Sequence, residues 1–173
     1  MKFKLLFVGR PVIQKGLGDL LLALSLLEKH DWILTIVGEL PDEIQISELP
    51  FKDRLQVIGA VPNDAMPTLL NTHDLLIVPS HYENFGNIII EGLACGIVII
   101  AARTGGIKNL IQNNHSGLFF EPKDYKELAA KIEYIFEYPD RAKILSENGL
   151  KNSAEYDWKN ITTKTIKLLK RFV

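Results

Sequence analysis

Cysteine is almost absent from this 173-residue chain, with Cys95 its one example. A single cysteine excludes an internal disulfide and any multi-cysteine metal site. Cys95 stands in an apolar stretch, which suits a small buried core residue better than a reactive thiol. Such usage fits a reducing compartment, and the chain reads as cytoplasmic. An excess of one charge sign is also lacking. The formal net charge is -1 and there is no long basic tract, so no bulk electrostatic case exists for binding nucleic acid. No apolar run approaches the ~20 residues that a membrane span requires. The N-terminal run Leu5 to Val8 meets Gly9-Arg10 at once, which makes it a strand and not a signal peptide. Several signatures are missing. There is no G-x-G-x-x-G, no G-x-x-x-x-G-K-[ST], no nucleophile elbow and no D-x-D pair. His30, His73, His81 and His115 are scattered, without metal-ligand spacing. His81, two residues before Glu83, reads as a rim residue with no chemical role.

What is present is a strand-helix alternation. The apolar share of 47% is enough for one domain with a proper core. Leu5 to Val8, Trp32 to Val37, Leu55 to Ile58, Leu75 to Val78 and Ile97 to Ala101 are apolar runs, interrupted only by Thr35 and Gln56, as strands buried on both faces are. Between them, Gly16 to Glu28 carries leucines at helical spacing, and Asp64 to Asn71 reads as a short helix capped by Asn63. Asn87 to Cys95 is ambiguous, because three consecutive isoleucines favour strand. The crossover between parallel strands demands a helix there. A short helix is predicted over Ile107 to Gln112, and a turn at Asn113 to Gly117 before Leu118-Phe119-Phe120. Asp124 opens a further helix that Pro139 ends, and two more are predicted at about 140–151 and 158–171. The fold class is α/β, a doubly wound, mostly parallel, Rossmann-like sheet in a single domain over 1–173.

Three segments could carry chemistry. The loop after the first strand, Gly9 to Gly16, holds Arg10 and Lys15 beside a helix start, an arrangement that suits a phosphate as well as it suits two solvated cations. The segment Glu83-Asn84-Phe85-Gly86-Asn87-Ile88-Ile89-Ile90-Glu91 places one carboxylate in the loop after the fourth strand and another about a turn into the next helix. Carboxylates only accept hydrogen bonds, so two of them suit a ligand rich in hydroxyl donors. The apolar neighbours of Glu91 imply a helix buried on most sides, where a carboxylate should have a partner or face a cleft. The third segment, Thr104-Gly105-Gly106-Ile107, suits either close approach of a ligand to the backbone or a plain tight turn.

In this order, Val8-Gly9-Arg10 with Lys15-Gly16, Ile36-Val37-Gly38, Ile58-Gly59, Val78-Pro79-Ser80, Glu83 through Glu91, Ala94-Cys95-Gly96, Gly105-Gly106 and Ser116-Gly117-Leu118-Phe119 resemble the C-terminal, donor-binding half of family 4 retaining glycosyltransferases with the GT-B fold (glycosyl transferases group 1). The likeness covers nearly the whole chain. It implies a nucleotide-diphosphate sugar as donor substrate, no cofactor and no metal. It also implies that Arg10 and Lys15 grip the donor diphosphate and that Glu83 contacts the transferred sugar. By the same likeness, the backbone at Phe85, Gly86 and Asn87 touches sugar and phosphate, Glu91 holds the ribose, and Gly105 and Gly106 border the donor.

The chain departs from that pattern at Leu40, where a second glycine is usual, at Val98, where proline is usual, and at Lys108-Asn109, where Pro-Glu is usual. The resemblance further implies an N-terminal acceptor domain, in the same gene or a separate chain, with peripheral membrane association through that half compatible with it. The isolated domain is then expected to bind donor with little or no transfer. Two alternatives stand beside this reading: a non-catalytic nucleotide-sugar-binding or regulatory domain, and half of a sugar-nucleotide epimerase.

Overall fold

The computed structural model describes residues 2–172. Six strands form one sheet: β1 (Phe3–Val8), β2 (Trp32–Val37), β3 (Leu55–Val57), β4 (Leu75–Val78), β5 (Val98–Ala102) and β6 (Leu118–Phe120). All pairings are parallel, in the order β3-β2-β1-β4-β5-β6. The helices are α1 (Leu17–Ser25), α2 (Met66–Thr72), α3 (Asn87–Cys95), α4 (Tyr125–Glu137), α5 (Pro139–Ser153) and α6 (Trp158–Leu169).

Except at the edge strand β3, where no residue is buried, the apolar runs become strands because both faces of the sheet are covered, so consecutive residues each find a buried side. Leu5, Phe7, Ile36, Ile77 and Ile100 point to one face and pack against leucines of α1 and apolar residues of α4. Leu6, Val37, Leu76, Val78 and Ile99 point to the other, against Leu70 of α2 and Ile89 and Leu93 of α3. The register holds these layers level, with Leu5 beside Leu34 and Leu76 beside Ile99. Asp124 caps α4 by accepting from the Glu127 N–H at 2.9 Å. Pro139, in the first turn of α5, ends one helix by starting the next.

Two local expectations are corrected. Asn63 caps no helix; the chain takes a 3₁₀ turn at Asn63–Ala65, and α2 begins only at Met66. Pro67 explains the delay, since it lacks an N–H and fits the first helical turn. The stretch expected as a helix over 107–112 is a 3₁₀ segment, Gly105–Asn109. Leu40, where the resemblance calls for glycine, is partly buried and packs against the core.

The strand order reverses between β1 and β4. Each leaves the sheet's carboxyl edge there, and the two loops diverge to opposite faces, which leaves a crevice between them. Both charged loops singled out from the sequence start at this edge.

Candidate donor site

The loop after β1 is a 3₁₀ turn, Ile13–Lys15, closed by the Gly16 N–H donating to the Ile13 carbonyl at 2.9 Å. Gly16 adopts φ 74°, and a Cβ on it would lie 2.0 Å from the Pro79 carbonyl oxygen. Only glycine meets both demands, the left-handed backbone and the contact with the loop after β4. The two loops are therefore in main-chain contact. The His81 N–H donates to the Gln14 carbonyl at 2.8 Å.

Across this junction the Lys15 ammonium donates to the Glu83 carboxylate at 2.5 Å, both side chains being largely buried. The pair brings together two residues 68 positions apart in sequence. A partner on each charge offsets the cost of removing it from water. Among the described residues Arg10 makes no ion pair. Its side chain is exposed at the cavity wall.

Arg10, Lys15, Glu83, Gly86 and Asn87 line one cavity of about 460 Å³. Its floor is the carboxyl ends of β1 and β2, at Val8, Gly9, Val37 and Gly38. Its far wall is Ala60, Val61 and Asn63 from the loop after β3, with Met66 of α2. The start of α3 forms the near wall. No side chain caps α3, so its first N–H groups lack side-chain partners where Asn87 and Ile88 border the cavity. The cavity thus carries cations and helix-start N–H groups at one end, carboxylates beside them, and an apolar pocket at the other.

Glu91 departs from expectation. It is exposed, not buried, and does not line the cavity. The helix is less enclosed than its three isoleucines imply, since Ile88 and Ile90 are only partly buried. Glu91 lies one turn beyond Asn87, on the same helical face, at the outer margin of the site. Phe85 is half exposed and also stands outside the lining.

Gly105 and Gly106 do not line this cavity and pack against the loop that carries Glu83. A Cβ on Gly105 would meet the Glu83 carbonyl oxygen at 1.9 Å, and one on Gly106 would meet that of Asn84 at 2.1 Å. The Gly106 N–H donates to the Glu83 carbonyl at 3.0 Å. The backbone that approaches these glycines is the protein's own, and the pair fixes the main chain carrying Glu83.

Sequence reasoning missed Glu39 and Asn63 as cavity residues. Their signal was positional, because Glu39 follows β2, the neighbour of β1, and Asn63 follows β3, the next strand out. It also missed a cluster at the opposite edge of the sheet, where His30, Glu133 and Glu137 bring ligand-type atoms within 4.8 Å of one another. Lys29 already pairs with one of its two carboxylates, its ammonium 2.7 Å from Glu133. Lys29 first, and then His30, hold the Glu133 carboxyl below its ordinary range. Cys95 is half-buried instead of buried; burial first, and then Glu91, push its thiol up.

The six-stranded parallel sheet flanked by helices, with its crevice at the β1/β4 switch, is the Rossmann-like domain of GT-B glycosyltransferases. Anabaena HepE, solved in complex with UDP-glucose, superposes with a TM-score of 0.86 at 24% identity over 98% of this chain and 49% of that one. Residues 1–152 match the sequence model of glycosyl transferases group 1, and the chain belongs to that family. An uncharacterised glycosyltransferase of Methanocaldococcus jannaschii is 30% identical over 156 residues, 88% of this chain and 44% of that protein. Glycogen synthase of Mycobacterium tuberculosis is 28% identical over 169 residues, 94% of this chain and 41% of the enzyme. The chain spans less than half the length of these relatives. Among the described residues no helix is long and apolar enough to cross a membrane.

Proposed function

We propose that this domain binds the nucleotide-diphosphate sugar donor of a retaining, metal-independent glycosyl transfer and contributes the donor half of the active site. The observation that carries this reading is the convergence of Arg10, Lys15, Glu83 and the uncapped start of α3 on one cavity. Family membership supports it, as does the Anabaena protein of the same fold, solved in complex with UDP-glucose.

The chemistry follows from the order of groups along the cavity. Arg10 and Lys15 hold the diphosphate, with the first N–H groups of α3 adding donors. As the bond from sugar to diphosphate breaks, negative charge grows on the leaving oxygen. Fixed cations and N–H dipoles stabilise it without reorganisation, which is why no metal is required. Glu83 accepts from hydroxyls of the transferred sugar. Lys15 touches both, so it couples sugar position to diphosphate position. The Phe85–Asn87 backbone flanks the sugar. Glu91, at the outer margin, takes the ribose hydroxyls of a nucleotide that extends along α3. Gly105 and Gly106 act on the donor through the Glu83 main chain. The acceptor is supplied by an N-terminal domain, in the same polypeptide or a separate chain, and peripheral membrane association belongs to that half. Alone, the domain binds donor and transfers little.

Isothermal titration with a panel of nucleotide sugars tests the reading. At least one should bind, and Lys15→Ala should weaken it by about ten-fold or more. No binding by any member, with circular dichroism confirming an intact fold, removes the donor-site assignment. Retention is tested separately, by NMR of the product anomer once the domain acts with its acceptor half.

A further inference from the structure

His81 reads from the sequence as a rim residue, yet it makes three ties at the carboxyl edge. Its N–H donates to the Gln14 carbonyl at 2.8 Å, and its own carbonyl accepts from the Thr104 hydroxyl at 3.0 Å. Its Nε2 lies 2.5 Å from an Asp19 carboxylate oxygen, with both side chains about four-fifths buried. Gln14 immediately precedes Lys15, Asp19 stands in the first turn of α1, and Glu83 follows His81 by two residues. One residue therefore joins the cation loop and the loop after β5 through its backbone, and α1 through its imidazole.

Packing does not replace this tie. Behind the 3₁₀ turn lies a hollow of about 250 Å³, lined mainly by apolar side chains that include Val12, Ile13 and Ile44. Ile13 is 60% exposed, so the turn has little apolar support of its own. A hydrogen bond from imidazole to carboxylate is among the stronger side-chain ties, and this one adds a side-chain tie to the main-chain contacts of Gly16 with Pro79 and of His81 with Gln14.

We propose that His81 and Asp19 form a clamp that positions Lys15 against Glu83, making them positioning residues for donor binding. This rests on the donor-site reading above. Neither side chain needs to touch the donor. The clamp acts by fixing the distance between the two loops, so that Lys15 meets the diphosphate while still holding Glu83.

The test is a double-mutant cycle read by titration calorimetry, using the nucleotide sugar that the unsubstituted protein binds. Asp19→Ala is the safer variant, because it leaves every main-chain bond of His81 in place and alanine suits a helix; His81→Ala removes the same bond from the other side. Each should weaken binding about ten-fold, and the double variant should lose no more than either alone. Lys15→Ala should cost less in the Asp19→Ala background than in the unsubstituted protein, because a mispositioned lysine has less to lose. Unchanged affinity in Asp19→Ala, or losses that add in full to those of Lys15→Ala, would overturn the clamp. If the unsubstituted protein binds no nucleotide sugar, the donor-site reading falls and the clamp's function falls with it. Donor binding with indifferent variants removes the clamp alone.

Discussion

The carboxyl edge of the sheet and the last helix are built in opposite ways. At the edge, three loops meet main chain to main chain: Gly16 on Pro79, Gly105 on Glu83 and Gly106 on Asn84. Side-chain pairs then close the gaps, Lys15 with Glu83 and His81 with Asp19. In α6 no residue is buried. Trp158, Leu168 and Leu169 are all more than half exposed, and the helix is tied chiefly by local bonds, such as the Asp157 cap on the Lys159 N–H and the Lys164–Glu155 pair. Where function depends on geometry, this chain combines glycine-permitted backbone contact with largely buried side-chain pairs. Where it does not, substitution should be cheap.

Glycine substitution should break the edge most severely. Gly105→Ala forces a carbon to within 1.9 Å of a carbonyl oxygen at φ 43°. It should destabilise the fold by roughly 3 kcal/mol, or push the Glu83 loop out of place with loss of donor binding. Thermal melting together with titration detects either result. Gly16→Ala, with a 2.0 Å clash, should behave alike. Unchanged melting and binding in both would mean that the loops do not meet as described.

Next in size is Glu83→Gln, which removes the charge facing Lys15 and keeps the shape. Donor affinity should fall about ten-fold while the melting temperature moves little, because the ammonium retains partial access to water. A large melting shift with unchanged affinity would make the pair structural. For α6 the expectation is near silence. Trp158→Ser or Leu169→Ser should change stability by no more than about 0.5 kcal/mol by chemical denaturation, and a larger loss would show that α6 is packed. The smallest effect concerns Cys95. Its raised thiol pKa means less thiolate at neutral pH. Alkylation by iodoacetamide should run slower than for an ordinary exposed cysteine, with its rise displaced to higher pH. Rates matching a free thiol peptide would contradict the burial.

Much of this was legible in sequence. The strands are largely apolar runs, as a parallel sheet covered on both faces favours, and β2 and β4 match their predicted limits residue for residue. In α3, β propensity and topology conflict, and topology prevails. The helix spans Asn87–Cys95 as expected, bracketed by Gly86 and Gly96 at positive φ, which stop Ile88-Ile89-Ile90 from running on as a strand. Arg10, Lys15 and Glu83 were singled out because charge after an apolar strand stands out, and the three line one cavity. What failed depended on distance through space. Glu91's exposure turns on how closely neighbouring helices approach α3, and no local pattern encodes that. The glycine pair's contact with Glu83 joins loops 22 residues apart, and the His81–Asp19 bond spans 62 positions. Sequence marks such residues as unusual without naming what they touch.

The central claim is that the donor lies in the crevice between the β1 and β4 loops. The most direct measurement is a ¹⁵N-amide NMR titration of the domain with the nucleotide sugar it binds. The account predicts the largest shifts at Gly9, Lys15, Gly38, Ala60, Gly86 and Asn87, with Trp158 to Leu169 still. Shifts concentrated in α6 or at the sheet's amino edge, with the crevice amides unmoved, would contradict it.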